Sequence, residues 1–132
     1  MSHLTTISDL TVNNLAALRR AGEQCGLVLR EGQQTFRAYE RGTLCAHALA
    51  VEGNPDAYEV GVVQRAPGWE SYDLRWDNFG GSGRALESRI GKDGALLKQH
   101  YGAASLVLAA QSMGFAATEV WEGQNLAVTL NG

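Results

Sequence analysis

The stretch from Tyr58 to Gly83 constrains this chain more than any other. Within Tyr58–Arg65, Tyr58, Val60 and Val62 alternate with Glu59, Gly61 and Val63. A period of two gives a strand one apolar face. Ala66-Pro67-Gly68 then breaks the run, because proline has no N–H for a ladder and glycine accepts positive φ. In Ser71–Asp77, Tyr72, Leu74 and Trp76 share one face, and Ser71, Asp73, Arg75 and Asp77 share the other. The two segments are expected to pair antiparallel, buried on one side and wet on the other. Asn78-Phe79-Gly80-Gly81-Ser82-Gly83 is too flexible to continue a strand.

The rest of the chain can be read around that hairpin. Ser2–Ile7 reads as a first strand. Ser8-Asp9 or Thr11 supplies a cap for a helix from about Asp9 to Cys25, in which Val12, Leu15, Leu18 and Gly22 recur at helical spacing and Gly26 ends the run. Leu27–Arg30 and Thr35–Glu40 read as a hairpin across Glu31–Gln34. Leu44–Val51 is a run of small apolar residues, read as a strand or irregular extended segment, and Glu52–Asp56 is a loop. Arg84–Ile90 reads as a short helix closed by Gly91. The longest helix is expected over Ala95–Met113, with Leu97, Tyr101, Ala104 and Leu108 as its stripe. Leu96, Ala103, Val107 and Ala110 widen that stripe, as for a helix packed on a sheet. Gly102 reads as a point of close approach to a neighbouring element. Gly114 and Phe115 fit a Schellman ending. A final hairpin joins Phe115–Trp121 to Leu126–Leu130 through Glu122-Gly123-Gln124. Together these elements predict one α+β domain over residues 1–132. Its sheet is mainly antiparallel and built of hairpins, with an N-terminal helix and a long C-terminal helix on one face.

A chain of 132 residues can bury a core without covalent staples. Its formal net charge of −3 argues against a nucleic-acid partner. Arg19, Arg20 and Arg30 are the nearest approach to a basic cluster, and they read as a solvated helix end. No apolar run approaches the ~20 residues that span a bilayer, so no membrane partner is expected. Met1–Leu10 has neither a basic start nor an apolar core, so no signal peptide is expected. Cys25 and Cys45 are too few for a disulfide framework, which fits a reducing, cytoplasmic setting.

Candidate chemistry is sparse. Cys45 and His47 are two apart, and in a strand both would face the same way, towards a Zn²⁺ whose third ligand would be His3 or His100. Zinc takes three or four ligands, and spacing supplies two. The plainer reading is a small buried Cys beside a hydrogen-bonded His. A Cys45–His47 nucleophile pair also lacks the third, orienting group that such catalysis needs. The loop Trp76-Asp77-Asn78-Phe79-Gly80-Gly81-Ser82-Gly83 exposes N–H groups that could form an anion nest. It has neither the lysine nor the spacing of a P-loop. The preferred reading is a strand-to-helix connection, with Trp76 filling the core and Phe79 covering its edge. Trp69, in the Pro-Gly turn, is either an interface anchor or packed on its own hairpin. The acidic residues are dispersed, and none pairs for acid–base work.

Several segments carry a family resemblance: Met1 to Ile7 with the leucine-spaced helix after it, Cys45-Ala46-His47-Ala48-Leu49, Tyr58 to Val63, Tyr72 to Gly83, Lys98-Gln99 with Tyr101, and the closing hairpin. In that order they resemble the family of hypothetical chloroplast open reading frame thirty-five, in its bacterial and phage branch. The resemblance implies a small soluble protein without an established activity. It also implies an adaptor role, since relatives are often encoded near AAA-type ATPases. Ala46 stands where relatives tend to carry an acidic residue, which weakens a metal site on Cys45 and His47. The leading expectation is therefore a non-enzymatic binding or adaptor protein acting through Trp69, Trp76, Asp77, Phe79, Gly80 and Gly81. Two alternatives are a phage-encoded factor that binds and inhibits a host protein, and a small metal-binding module or metal-dependent enzyme using Cys45 and His47, with His3. Edge pairing of Leu126–Leu130 between chains leaves a homodimer open.

Overall fold

The computed structural model describes residues 3–131. Ser2, the first residue of the expected opening strand, lies outside them. In chain order the elements are β1 (Leu4–Thr6), α1 (Leu15–Gln24), β2 (Leu27–Glu31), β3 (Thr35–Phe36), β4 (Thr43–Leu44), β5 (His47–Val51), β6 (Val60–Gln64) and β7 (Tyr72–Asp77). After them come α2 (Gly80–Ile90), a 3₁₀ turn (Lys92–Gly94), α3 (Ala95–Ser112), β8 (Ala116–Glu122) and β9 (Asn125–Asn131). The main sheet has five strands in the order β1-β7-β6-β5-β2. Each neighbouring pair runs antiparallel. The β3–β4 and β8–β9 pairs form separate two-stranded sheets. Among the described residues no helix is long and apolar enough to cross a membrane.

Alternation along the strands sorts the main sheet into two faces. Leu27, Leu29, Leu49, Val51, Val60, Val62, Tyr72, Leu74 and Trp76 point into the main core. There they meet Leu18 of α1, Leu86 and Ile90 of α2, and Leu97, Tyr101 and Ala104 of α3. The domain is α+β, with the long C-terminal helix packed against the sheet. The opposite, outer face is covered in part by the arm that carries β3 and β4. That arm buries Phe36 and Ala38 against Ala48. Gly61 makes room for it: a Cβ there would sit 2.3 Å from the Phe36 ring.

The expected hairpin between Leu27–Arg30 and Thr35–Glu40 does not form. β2 instead pairs with β5, in the register Leu27↔Val51 and Leu29↔Leu49. This register places the apolar alternation of both strands on the core face. Thr35-Phe36 pairs with Thr43-Leu44 and lays Phe36 on the outer face. α1 also starts later than expected. Asp9 has a φ of 56°, which a right-handed helix cannot use. Val12 forms an isolated bridge to Tyr72, with backbone bonds of 2.9 and 2.8 Å. Asn14 is the cap, its Oδ1 accepting the Ala17 N–H at 3.1 Å.

α3 packs on α1 and on both strands of the closing hairpin, which accounts for the breadth of its apolar surface. Its Gly102 is not a point of close approach: it is exposed, and a Cβ there would meet nothing within 4 Å. The Schellman ending is present. Phe115 N–H bonds the Ala110 carbonyl at 3.0 Å and Gly114 N–H bonds Gln111 at 3.1 Å, with Gly114 at φ 86°. The tight turn between β8 and β9 has Gly123 at φ 64°, the conformation a type II′ turn requires of its first central residue. Gln99 fastens this hairpin to α3 by accepting the Leu126 N–H at 2.9 Å and donating to the Gln124 carbonyl at 3.2 Å.

Candidate functional site

The most constrained polar group on the outer face is Asp77. It ends β7 opposite Leu4 of β1 and is 2% exposed. A buried carboxylate is tolerated where hydrogen bonds replace its water. Asp77 Oδ1 accepts the Phe79 N–H at 2.9 Å, and Oδ2 accepts the Tyr39 N–H at 2.9 Å. One side chain thereby joins the end of β7, the entry to α2 and the arm over the sheet. Aromatic rings gather above it. His3 stacks on Phe79 with centroids 4.4 Å apart and planes 13° from parallel. Tyr39 meets Phe79 edge-on at 5.9 Å. Tyr39 and Phe79 are nevertheless 61% and 47% exposed, so the cluster is a surface rather than a core. Burial, then the Asp77 charge and Tyr39, push the neighbouring Tyr58 hydroxyl above its ordinary value.

The residues expected to bind do not all meet. Trp76 is fully buried in the main core. Phe79, expected to cover its edge, instead faces outward between His3 and Tyr39. Gly80 and Gly81 open α2, whose first backbone bond runs from Gly83 N–H to the Phe79 carbonyl at 3.1 Å. The helix thus begins inside the glycine run rather than at Arg84. Gly83 is required there, because a Cβ would fall 2.3 Å from the Asn78 carbonyl carbon. Trp69 is 60% exposed in the β6–β7 connection, at the other end of β7 from Phe79. A strand of that length spans roughly 20 Å, so Trp69 and the aromatic cluster are separate surfaces.

Cys45, His47 and His3 are each engaged elsewhere. Ala46 bends the chain between β4 and β5 and breaks the alternation that would have aligned Cys45 with His47. The Cys45 thiol donates to the Gln33 carbonyl at 3.1 Å. Burial, then the Glu59 charge, push that thiol up to about 11. His47 Nδ1 accepts the Gly32 N–H at 2.9 Å, and its ring meets Tyr72 edge-on at 5.4 Å. His3 lies on Phe79. Among the described residues no three His, Cys, Asp or Glu side chains gather as a metal ion would need.

A feature that sequence reading missed lies beside the arm. A cleft of about 590 Å³ opens on the outer face, lined by Arg30, Arg37, Arg41, Gln33, Asn54 and Glu59 among others. Arg30 comes from β2, Arg37 and Arg41 from the β3–β4 connection, and Glu59 from the segment before β6. Glu59 is 7% exposed. Its Oε1 accepts the Arg37 N–H at 2.7 Å and Gln33 Nε2 at 3.0 Å. The available signal was the placement of Arg30 and Glu59 at outward positions of their segments, but the arm that brings Arg37 and Arg41 to them has no local signature.

The fold and these surfaces define a small α+β protein that presents an aromatic patch and a polar cleft on one sheet face. No family model, no curated protein and no solved structure matches the chain.

Proposed function

We propose that this is a non-catalytic protein-binding module whose contact surface is the His3–Phe79–Tyr39 cluster. The observation that supports it is an exposed aromatic patch held in place by a buried carboxylate. Aromatic rings with few rotatable bonds make efficient interface anchors, because little freedom remains to be lost on binding. Trp69 offers a second anchor at the far end of β7. The partner is a protein, and an AAA-type ATPase is the candidate that the family resemblance supplies. Affinity capture from the source lysate, with and without ATP, tests this reading. The expected result is one dominant protein, retained by the native chain and lost in Tyr39→Ala/Phe79→Ser. Equal capture by that variant, with its circular dichroism unchanged, would overturn the assignment of the surface. Absence of any captured protein would overturn the adaptor role.

A further inference from the structure

We propose that the cleft beside the arm binds a small anionic molecule that carries a phosphate group and, next to it, hydroxyl groups. The chain has an overall negative charge, yet three arginines line this one cleft. The ion pairs among the described residues are Arg19–Glu31, Arg20–Glu119 and Arg65–Asp73, and none of them engages Arg30, Arg37 or Arg41. Arginines that line one cleft outside those ion pairs suit a phosphate, which accepts their paired N–H donors in a fork.

Arg37 is already positioned. Its backbone N–H is held by Glu59 at 2.7 Å, and its Nη1 donates to the Ala57 carbonyl at 3.3 Å. Glu59 does more than anchor the arm. Among the described residues, both hydrogen bonds to its carboxylate fall on Oε1, which leaves Oε2 to accept from a ligand. A bare anion would meet repulsion from this carboxylate, whereas a phosphate ester with a neighbouring hydroxyl would satisfy both signs of charge. The volume suits a ligand of that size, within the several hundred Å³ usual for small-molecule sites. Phe36, the aromatic residue of the cleft wall, is buried beneath the arm, so no ring is offered for a nucleobase to stack on. A sugar phosphate fits these features better than a nucleic acid does.

Titration calorimetry with ribose 5-phosphate, inorganic phosphate and ribose tests the site. Ribose 5-phosphate is expected to bind at least about tenfold more tightly than inorganic phosphate, and ribose to give no heat. Arg30→Gln/Arg41→Gln, two exposed side chains, should weaken ribose 5-phosphate at least about tenfold with the fold intact by circular dichroism. Glu59→Gln can still accept the Arg37 N–H, and it should narrow the gap between ribose 5-phosphate and phosphate. No binding of either phosphate, equal affinity for the two in the native chain, or unchanged affinity in the arginine variant would each overturn the proposal. Tyr39→Ala/Phe79→Ser should leave these affinities unchanged, which separates this site from the protein-binding surface.

Discussion

Tyr39 and Asp77 stand 38 positions apart and are joined by one hydrogen bond, from the Tyr39 N–H to Asp77 Oδ2 at 2.9 Å. The other oxygen of the same carboxylate receives the Phe79 N–H at 2.9 Å. The two exposed rings of the aromatic patch therefore belong to residues whose backbones are tied to one buried group. This gives a physical reason for the patch to keep one shape although it faces solvent. Ordering that is complete before a partner arrives does not have to be supplied by the partner.

Asp77→Ala would leave two part-buried backbone N–H groups without their acceptor. Hydrogen bonds to a charged group are worth more than neutral ones, so a loss of about 3 kcal/mol is expected for the pair. Asp77→Asn keeps one acceptor oxygen and should cost less. Urea unfolding of the two variants and the native chain checks this order. A loss below about 1 kcal/mol for Asp77→Ala would show that the arm is held by Phe36 and not by the carboxylate.

Much of this architecture was readable in the chain, and the failures have specific causes. The β6–β7 hairpin, the Schellman ending of α3 and the closing hairpin all follow from local chemistry: alternation, a turn and a glycine in the right place. The pairing of β2 with β5 was not readable, because Leu27 and Leu29 alternate equally well against several candidate strands. The structure adds a contact that no local pattern shows: Phe36 packs on Ala48 of β5 and over Gly61 of β6, a seat that forms once those strands are paired. The arginine cleft was hidden for the same reason. Arg19, Arg20 and Arg30 look like a cluster in sequence. In the fold Arg19 pairs with Glu31 and Arg20 with Glu119, while Arg30 joins Arg37 and Arg41 from a different segment. At the aromatic patch, Asp77 and Phe79 were singled out from their loop. Tyr39 carries no such local signal, because it reaches the patch through long-range contacts with Asp77 and Phe79.

Two glycines at α3 should respond to alanine with opposite signs. Gly102 is exposed within the helix, its φ is not positive, and a Cβ there would meet nothing within 4 Å. Gly102→Ala is expected to stabilise by roughly 0.5–1 kcal/mol through helix propensity alone. Gly114 has equal open space but a φ of 86°. Gly114→Ala should destabilise by about 1 kcal/mol, since a Cβ disfavours the left-handed conformation. Thermal unfolding of the two single variants reads both signs. A rise in both midpoints would show that the helix end relaxes out of its Schellman geometry.

Cys45 should behave as an unreactive thiol in the folded chain. Its pKa is pushed up to about 11, mainly by burial and further by Glu59, and its hydrogen is given to the Gln33 carbonyl. Cys25 is pushed up to about 11 by burial. Nucleophilic attack needs the thiolate, so iodoacetamide at pH 8 should modify both residues at least about tenfold more slowly than a free cysteine. Unfolding in urea should restore the ordinary rate. Rapid alkylation of Cys45 in the folded protein would contradict this and would reopen a nucleophilic role for it.

His100 sets an acid-side limit on stability. It is buried on α3, its Nδ1 has no hydrogen-bond partner among the described residues, and its ring meets Trp121 edge-on at 5.7 Å. Burial lowers its pKa below the ordinary 6.5, and the Glu119 charge offsets this only in part. The unfolded chain therefore takes up this proton at a higher pH than the folded chain does. Above 6.5 both forms are neutral and the contribution of His100 to stability is fully present. As the pH falls through 6.5 the unfolded chain is protonated first, and stability is lost until the folded pKa is passed. His100→Phe keeps a ring against Trp121 and removes the titration. Urea unfolding at pH 7.5 and at pH 5.5 should show a smaller loss in the variant than in the native chain. Parallel losses in the two proteins would mean that His100 is hydrated in the folded state and that the closing hairpin does not seal it.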